Sequence, residues 1–262
     1  MKHIRIELPK CLMHAYVPDV AEPVTALRPS IVICPGGGYL YRSDREAEPI
    51  ALVFAAKGFN CFVVEYRVAP EVHPAPLFDV AHAVAWVRAH AAECNADPDA
   101  IAVMGFSAGG HAACHLGVRW HEEELMASFG LTPEQARPNA MVLCYPVING
   151  GEFAHRGSFK NLTGTEDLAV HARFSLDEMV TAHTPPTFLW HTWEDGAVPV
   201  ENTFLLALAM RRNGVQGEVH VFPKGGHGLS LANPLTSDSP AQNIPECAQW
   251  PDMAARLLRT VL

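Results

Sequence analysis

Ser107, Asp195 and His227 are the side chains of this 262-residue chain whose types, order and flanking residues suit nucleophilic catalysis. Ser107 stands in Gly105-Phe106-Ser107-Ala108-Gly109, after the apolar run Ile101–Met104 and before a small-residue run that reaches about Trp120. A strand before and a helix after is the context a G-x-S-x-G turn requires. Glycines two positions either side remove side chains where the strand and helix close on each other. The hydroxyl then projects beside the N-terminal end of the helix, whose unpaired N–H groups and positive dipole end favour negative charge. Alone, the pentapeptide also arises by chance in glycine-rich chains, so the remaining residues decide.

A serine nucleophile needs a base, and the base needs an orienting acid. Asp195 lies in Thr192-Trp193-Glu194-Asp195-Gly196-Ala197-Val198-Pro199, and His227 in Pro223-Lys224-Gly225-Gly226-His227-Gly228. Each loop follows an apolar, strand-like run, and the order nucleophile, acid, histidine is one in which such triads occur. Glu194 is the rival acid. Asp195 is preferred because its shorter side chain and the following glycine suit a fixed turn, whereas Glu194 reads as a solvated rim carboxylate. Attack on an ester creates an oxyanion that needs preorganised donors. Ala108, directly after the nucleophile, offers one N–H. Gly37 and Gly38 of the Gly36-Gly37-Gly38 triplet offer others, with Gly36 shaping the turn.

Further residues have competing roles. Tyr39, Trp193 and Leu229 flank the catalytic loops and are candidates for the pocket wall, with core packing as the alternative. His111 and His115 have a metal-ligand spacing, but Ala112 stands where an H-E-x-x-H motif needs glutamate, so packing or hydrogen bonding is expected and no metal is assigned. His191, within the run before the acid, reads as buried. His73 reads equally as bordering a pocket or as solvated.

These loops need a scaffold. Ile4–Leu8 and Cys11–Val17 are short possible strands, followed by chain breaks at Pro18, Pro23 and Pro29. Ser30–Cys34, Asn60–Tyr66, Ile101–Met104, Ala140–Tyr145, Thr187–His191 and Glu218–Phe222 are apolar-rich runs of the kind that form sheet-core strands. Helical spacing is expected over Glu46–Lys57, Phe78–Cys94, the run after Ser107, Val200–Asn213 and part of Pro245–Leu262. Asp97-Pro98-Asp99 reads as a turn. Residues 146–184, with Gly150, Gly151, Gly157 and Gly164, read as an irregular insertion or lid with one or two short helices. The alternation predicts an α/β class, with a mostly parallel sheet covered on both faces and sites beyond the carboxyl ends of the strands. No repeat or linker divides the chain, so one domain over 1–262 is expected.

Composition narrows the function. The content is 49% hydrophobic and 18% charged, enough for one large core. A formal net charge of −9 with no basic stripe argues against a nucleic-acid partner. No run approaches the ~20 apolar residues of a membrane span, and the first residues lack a signal-peptide pattern. Seven cysteines, none in a C-x-x-C pair, fit reduced thiols and a cytoplasmic setting.

Taken together, Pro35-Gly36-Gly37-Gly38-Tyr39, Gly105–His111, Glu194-Asp195-x-x-Val198-Pro199 and Gly226-His227-Gly228 resemble the α/β-hydrolase esterases of the hormone-sensitive-lipase type. The chain is more closely similar to the bacterial acetylxylan-esterase-like and feruloyl-esterase-like branch, as are Tyr66-Arg67 and Pro76-Leu77-x-Asp79. The resemblance spans about residues 30–230. One departure is Pro35, where the family's H-G-G-G motif opens with histidine. The resemblance implies an α/β-hydrolase fold, the triad Ser107–Asp195–His227, and a serine carboxylesterase acting on short acyl esters such as acetyl groups on sugars. It requires no metal or organic cofactor. A short N-terminal segment favours an open acyl site over a lipid tunnel. An amide-cleaving relative (an arylformamidase or small aminopeptidase) and a catalytically inactive binding protein are the alternatives. The expected partner is a small-molecule ester, and a homo-oligomer is compatible with the sequence.

Overall fold

The computed structural model describes residues 1–20 and 26–262; Pro23 lies outside the described residues. One sheet is built from β1 (Lys2–Glu7), β2 (Leu12–Val17), β3 (Arg28–Cys34), β4 (Asn60–Val64), β5 (Ala96–Phe106), β6 (Ala140–Cys144), β7 (Thr187–Thr192) and β8 (Gly217–Phe222). The spatial order is β1-β2-β4-β3-β5-β6-β7-β8. The β1–β2 and β2–β4 pairs are antiparallel, and every later pair is parallel. Parallel neighbours need crossovers, and the helices run in the connections between strands, except the last, which follows β8. These are α1 (Glu48–Ala56), α2 (Ala75–Ala89), α3 (Ala108–Arg119), α4 (Glu123–Ser128), α5 (Pro133–Ala136), α6 (Arg156–Thr163), α7 (Leu168–Ala172), α8 (Glu201–Arg212) and α9 (Trp250–Val261).

The strand alternation sorts side chains into two cores. Ile101 and Val103 of β5 join Val80 and Val84 of α2, Leu116 of α3 and Leu206 of α8. Ala102 and Met104 face the other way, with Phe54 of α1 and Leu258 of α9. All four of these β5 side chains are fully buried. Burying each larger apolar side chain contributes roughly 1.5–3 kcal/mol, which pins β5 in the middle of the sheet.

Local chemistry moves several expected boundaries. The second long helix starts at Ala75 rather than Phe78, because Pro76 fits a first turn where its missing N–H costs nothing. It stops at Ala89, and Ala91–Cys94 is a separate 3-10 turn. Asp97-Pro98-Asp99 does turn, with the Asp99 N–H donating to Asp97 Oδ1 at 2.9 Å. That turn lies inside β5 as an irregularity, where pairing jumps from Arg28–Ala96 to Ser30–Ile101. Pro29 sits at the same irregularity within β3, where a strand tolerates proline. Glu46 belongs to a 3-10 turn before α1 rather than to the helix. Residues 146–184 connect β6 to β7 through α6, α7 and a 3-10 turn at Leu176–Met179.

A buried ion pair anchors the loop after β4. The Asp79 side chain is fully buried and accepts the Arg67 guanidinium on both oxygens, with Nε–Oδ2 at 2.9 Å and Nη2–Oδ1 at 3.0 Å. The Arg67 N–H also donates to Oδ2 at 2.7 Å. Removing one member of such a pair strands the other charge, whereas replacing both with apolar groups is far milder. Arg67→Met should therefore lower the unfolding free energy by about 3 kcal/mol in urea titrations. The double variant Arg67→Met/Asp79→Leu should lose less, and an equal loss in both would contradict this account.

Candidate active site

The site gathers at the carboxyl end of the parallel strands, as open α/β sheets dictate. Ser107 follows β5, Asp195 follows β7 and His227 follows β8. Ser107 is held at φ 53 and ψ −120. Its N–H donates to Cys144 O at 3.0 Å, and its own carbonyl accepts the N–H groups of His111 and Val147. The flanking glycines are steric necessities. A Cβ on Gly105 would lie 2.1 Å from Gly109 O, and one on Gly109 would lie 2.1 Å from Cys34 O.

Ser107 Oγ lies 2.7 Å from His227 Nε2, and His227 Nδ1 lies 2.6 Å from Asp195 Oδ2. Oδ1 of Asp195 accepts the N–H groups of Ala197 and Val198 at 3.0 and 2.9 Å. Glu194 faces outward and pairs with Lys224 at 2.6 Å, so the structure brings Asp195 rather than Glu194 to the imidazole. Burial alone would raise the Asp195 pKa. Hydrogen bonds from His191 and His227, the His227 charge and the Val198 N–H outweigh it, and the carboxyl titrates well below the usual range.

His191 has a part that its sequence position did not disclose. Its Nε2 lies 3.1 Å from Asp195 Oδ2 and 3.0 Å from Val198 O, while Nδ1 lies 2.8 Å from Thr203 Oγ1. Two acceptors at Nε2 require the proton there, so Nδ1 accepts from the Thr203 hydroxyl. Asp195 thus carries two histidines, one facing Ser107 and one fully buried.

Gly37 and Gly38 line a cleft of about 390 Å³ with Ser107, His227, Tyr41, Arg45, Glu46, His155 and Asn161. Gly37 has φ 127, and a Cβ there would lie 2.2 Å from Tyr41 O. Gly36 gives its N–H to Glu46 Oε2 at 2.8 Å. This leaves Gly37 and Gly38 as the loop's candidate oxyanion donors. Ala108 is the first residue of α3, where an N–H has no intrahelical acceptor. Pro35, in the place of the motif's histidine, offers its carbonyl to Tyr66 Oη at 2.5 Å, and Asn161 Nδ2 donates to Gly38 O at 2.8 Å. The loop is therefore anchored on both sides of the triplet.

Glu46 is a second buried carboxylate. Oε1 accepts the Tyr145 hydroxyl at 2.6 Å, and that hydroxyl accepts the Ser230 N–H at 2.8 Å. Burial raises the Glu46 pKa, against the Tyr145 O–H and Gly36 N–H bonds that lower it. The Tyr145 ring also packs edge-on to His227, centroids 5.2 Å apart. No local signal marks Glu46, Tyr145 or His155 as site residues, because their partners lie in distant loops.

Of the three pocket-wall candidates, Tyr39 and Leu229 take the core-packing alternative, and none lines the cleft around Ser107. Tyr39 is buried beneath the loop, with its hydroxyl 2.9 Å from His111 Nδ1. Leu229 is fully buried in the core beside α9. Trp193 is 64% exposed and lies edge-on to Phe204. Loop neighbours of a catalytic residue alternate in direction, so adjacency in sequence does not aim them at the cleft. His111 also reaches Phe174 O at 3.1 Å, and His115 is buried against it. His73 stacks on His115, centroids 5.3 Å apart. Among the described residues, no group of three His, Cys, Asp or Glu is placed to hold a metal ion.

A parallel-centred sheet with this turn and these loops is the α/β-hydrolase fold. Residues 13–210 match the BD-FAE family model, and the chain belongs to that family. It is 38% identical over 218 residues to a protein named endo-1,4-beta-xylanase B from Butyrivibrio fibrisolvens, covering 79% of this chain and 33% of that one. It is 32% identical over 209 residues to an acetylxylan esterase from Xylanibacter ruminicola, covering 77% of this chain and 41% of that one. The chain thus spans a third to two fifths of the length of these relatives. A solved acetyl ester-xyloside bifunctional hydrolase from Caldicellulosiruptor lactoaceticus superposes with a TM-score of 0.82 at 38% identity, over 96% of this chain and 88% of that one.

The lowered Asp195 pKa has a consequence for stability. An acid whose folded pKa is depressed contributes stability above its unfolded pKa, about 3.9, and loses it as the pH falls toward the folded value. Unfolding free energy measured from pH 5 down to pH 2.5 should fall less steeply in Asp195→Asn than in the unsubstituted protein. Parallel curves would show that Asp195 does not contribute to acid lability.

Proposed function

We propose that this chain is a serine carboxylesterase that hydrolyses short-chain acyl esters, with acetyl esters of sugars as its substrate class. The observation that carries the reading is the unbroken chain from Ser107 Oγ through His227 to Asp195, at 2.7 and 2.6 Å, opening into a cleft walled by Gly37 and Gly38. The substrate class is supported by the ester-hydrolase names among its relatives. The amide-cleaving and inactive-binder readings have no observation of their own in their favour.

His227 takes the Ser107 proton as Oγ attacks the acyl carbon. The Gly37, Gly38 and Ala108 N–H groups receive the oxyanion, as fixed dipoles that need no reorganisation when the charge develops. Asp195 holds the imidazole with its Nδ1 proton inward and stabilises the charged ring. His227 then protonates the departing alcohol, and water repeats the cycle to release the acid. The segment 146–184 contributes His155, Gly157 and Asn161 to the wall of this cleft. The small-molecule ester enters from solvent.

We place the chain in a reducing, cytoplasmic setting. All seven cysteines are free and six are buried, and burial pushes the Cys11 thiol, the one partly exposed, up to about 12. No described helix is long and apolar enough to cross a membrane.

Ser107→Ala should lower p-nitrophenyl acetate turnover by at least about 10⁴-fold, the scale on which nucleophile removal acts. Retained hydrolysis in a homogeneous preparation would sink the assignment. Across p-nitrophenyl acetate, butyrate and octanoate, kcat/KM should fall with chain length. A preference for octanoate would overturn the open acyl site.

A further inference from the structure

The Asp195 carboxylate is anchored by its backbone surroundings, yet a buried side chain also reaches the oxygen that serves His227. Oδ1 accepts the N–H groups of Ala197 and Val198 at 3.0 and 2.9 Å. Oδ2 meets His227 Nδ1 at 2.6 Å and His191 Nε2 at 3.1 Å. The His191 and Asp195 side chains are both fully buried, so water neither screens nor replaces their bond. The ring of His191 is fixed from two elements. β7 carries it, and Thr203 of α8 places a hydroxyl 2.8 Å from Nδ1. Its Nε2 proton is shared between Oδ2 and Val198 O, the latter at 3.0 Å.

Orienting a catalytic imidazole takes one carboxylate oxygen, and here that oxygen serves two histidines. A carboxylate that accepts a further N–H is stabilised in its charged form and becomes a weaker proton acceptor. It then holds an imidazolium less strongly. Two N–H groups that converge on one oxygen also present their positive ends to each other. The other groups around His227 are Ser107 Oγ, the Tyr145 ring with centroids 5.2 Å apart, and Arg45, Glu46 and His155 on the cleft wall. At the rim, Lys224 and Glu194 pair with each other. Among the described residues none of these is bonded to His191, so a change there reaches His227 through Asp195.

We propose that His191 tunes the catalytic base: by sharing Asp195 Oδ2 it weakens the pull of Asp195 on the His227 imidazolium, and so keeps His227 free to activate Ser107 down to lower pH than an unshared carboxylate would allow. The inference rests on the esterase reading above. His191 touches no substrate. It is a positioning residue that acts through Asp195.

The readout is the acid limb of kcat/KM against pH for p-nitrophenyl acetate, which reports the base of the free enzyme. His227 must be unprotonated to act, so activity falls as the pH drops through that limb. In His191→Met and His191→Leu, which lack the donor, the limb should move up by about half to one pH unit, part of what one hydrogen bond to a charged group is worth. His191→Gln, whose amide nitrogen reaches toward Oδ2, should keep the limb close to that of the unsubstituted protein. A limb that stays or moves down in the donor-free variants would overturn the proposal. So would an equal displacement in His191→Gln, which would trace the effect to packing. Nitrogen NMR of protein labelled at histidine tests the same point with no substitution. His191 should carry a proton on Nε2 at pH 7, and that signal should move as His227 titrates. A bare Nε2, or a signal that ignores His227, would overturn the proposal. Absence of hydrolysis by the unsubstituted protein at every pH would instead overturn the esterase reading, and this inference with it.

Discussion

The site depends on one backbone conformation. Ser107 sits at φ 53, a region that costs a non-glycine residue on the order of 1–3 kcal/mol. The surroundings over-determine it. Its N–H is bonded across to the end of β6, its carbonyl holds the starts of α3 and of the β6–β7 crossing, and the flanking glycines let β3 and α3 meet almost in contact. The central place of β5 in the sheet follows from the same need. Only there do both neighbouring strands end in loops that reach the serine.

Two buried carboxylates stand either side of that turn, and they are governed by opposite balances. Asp195 accepts four donors and stays ionised despite burial. Glu46 has only a hydroxyl and one amide donor on its two oxygens, and burial prevails. The difference suits their positions. Asp195 must meet a charged imidazole, whereas Glu46 ties neutral groups of the glycine loop to Tyr145.

How much of this was legible in the sequence differs from residue to residue. Ser107, Asp195 and His227 were readable because each carries its own turn chemistry, and the strands because buried parallel strands are continuous apolar runs. The Asp97–Asp99 turn was readable as a turn, but its place inside a strand depends on pairing with β3. Whether Tyr39, Trp193 and Leu229 wall the pocket or pack elsewhere was not readable, because side-chain direction within a loop is set by tertiary anchors such as Tyr66–Pro35. Glu46, Tyr145, His155 and His191 were not readable as site residues, since each acts through partners far along the chain. For His191 the signal was a polar residue in an otherwise buried strand.

The tie that runs from Gly36 through Glu46 and Tyr145 to Ser230 has a bearing on the order of synthesis. Its members are drawn from the first crossover, the middle of the sheet and the loop after the last strand. A chain still emerging from the ribosome can build the serine turn early, since that needs only β3, β5 and β6. The tie gains its last member, Ser230, only when the loop after β8 has arrived, which is also when the histidine arrives. The Ser107–His227–Asp195 chain is therefore joined late in synthesis, with only the C-terminal stretch that holds α9 still to follow.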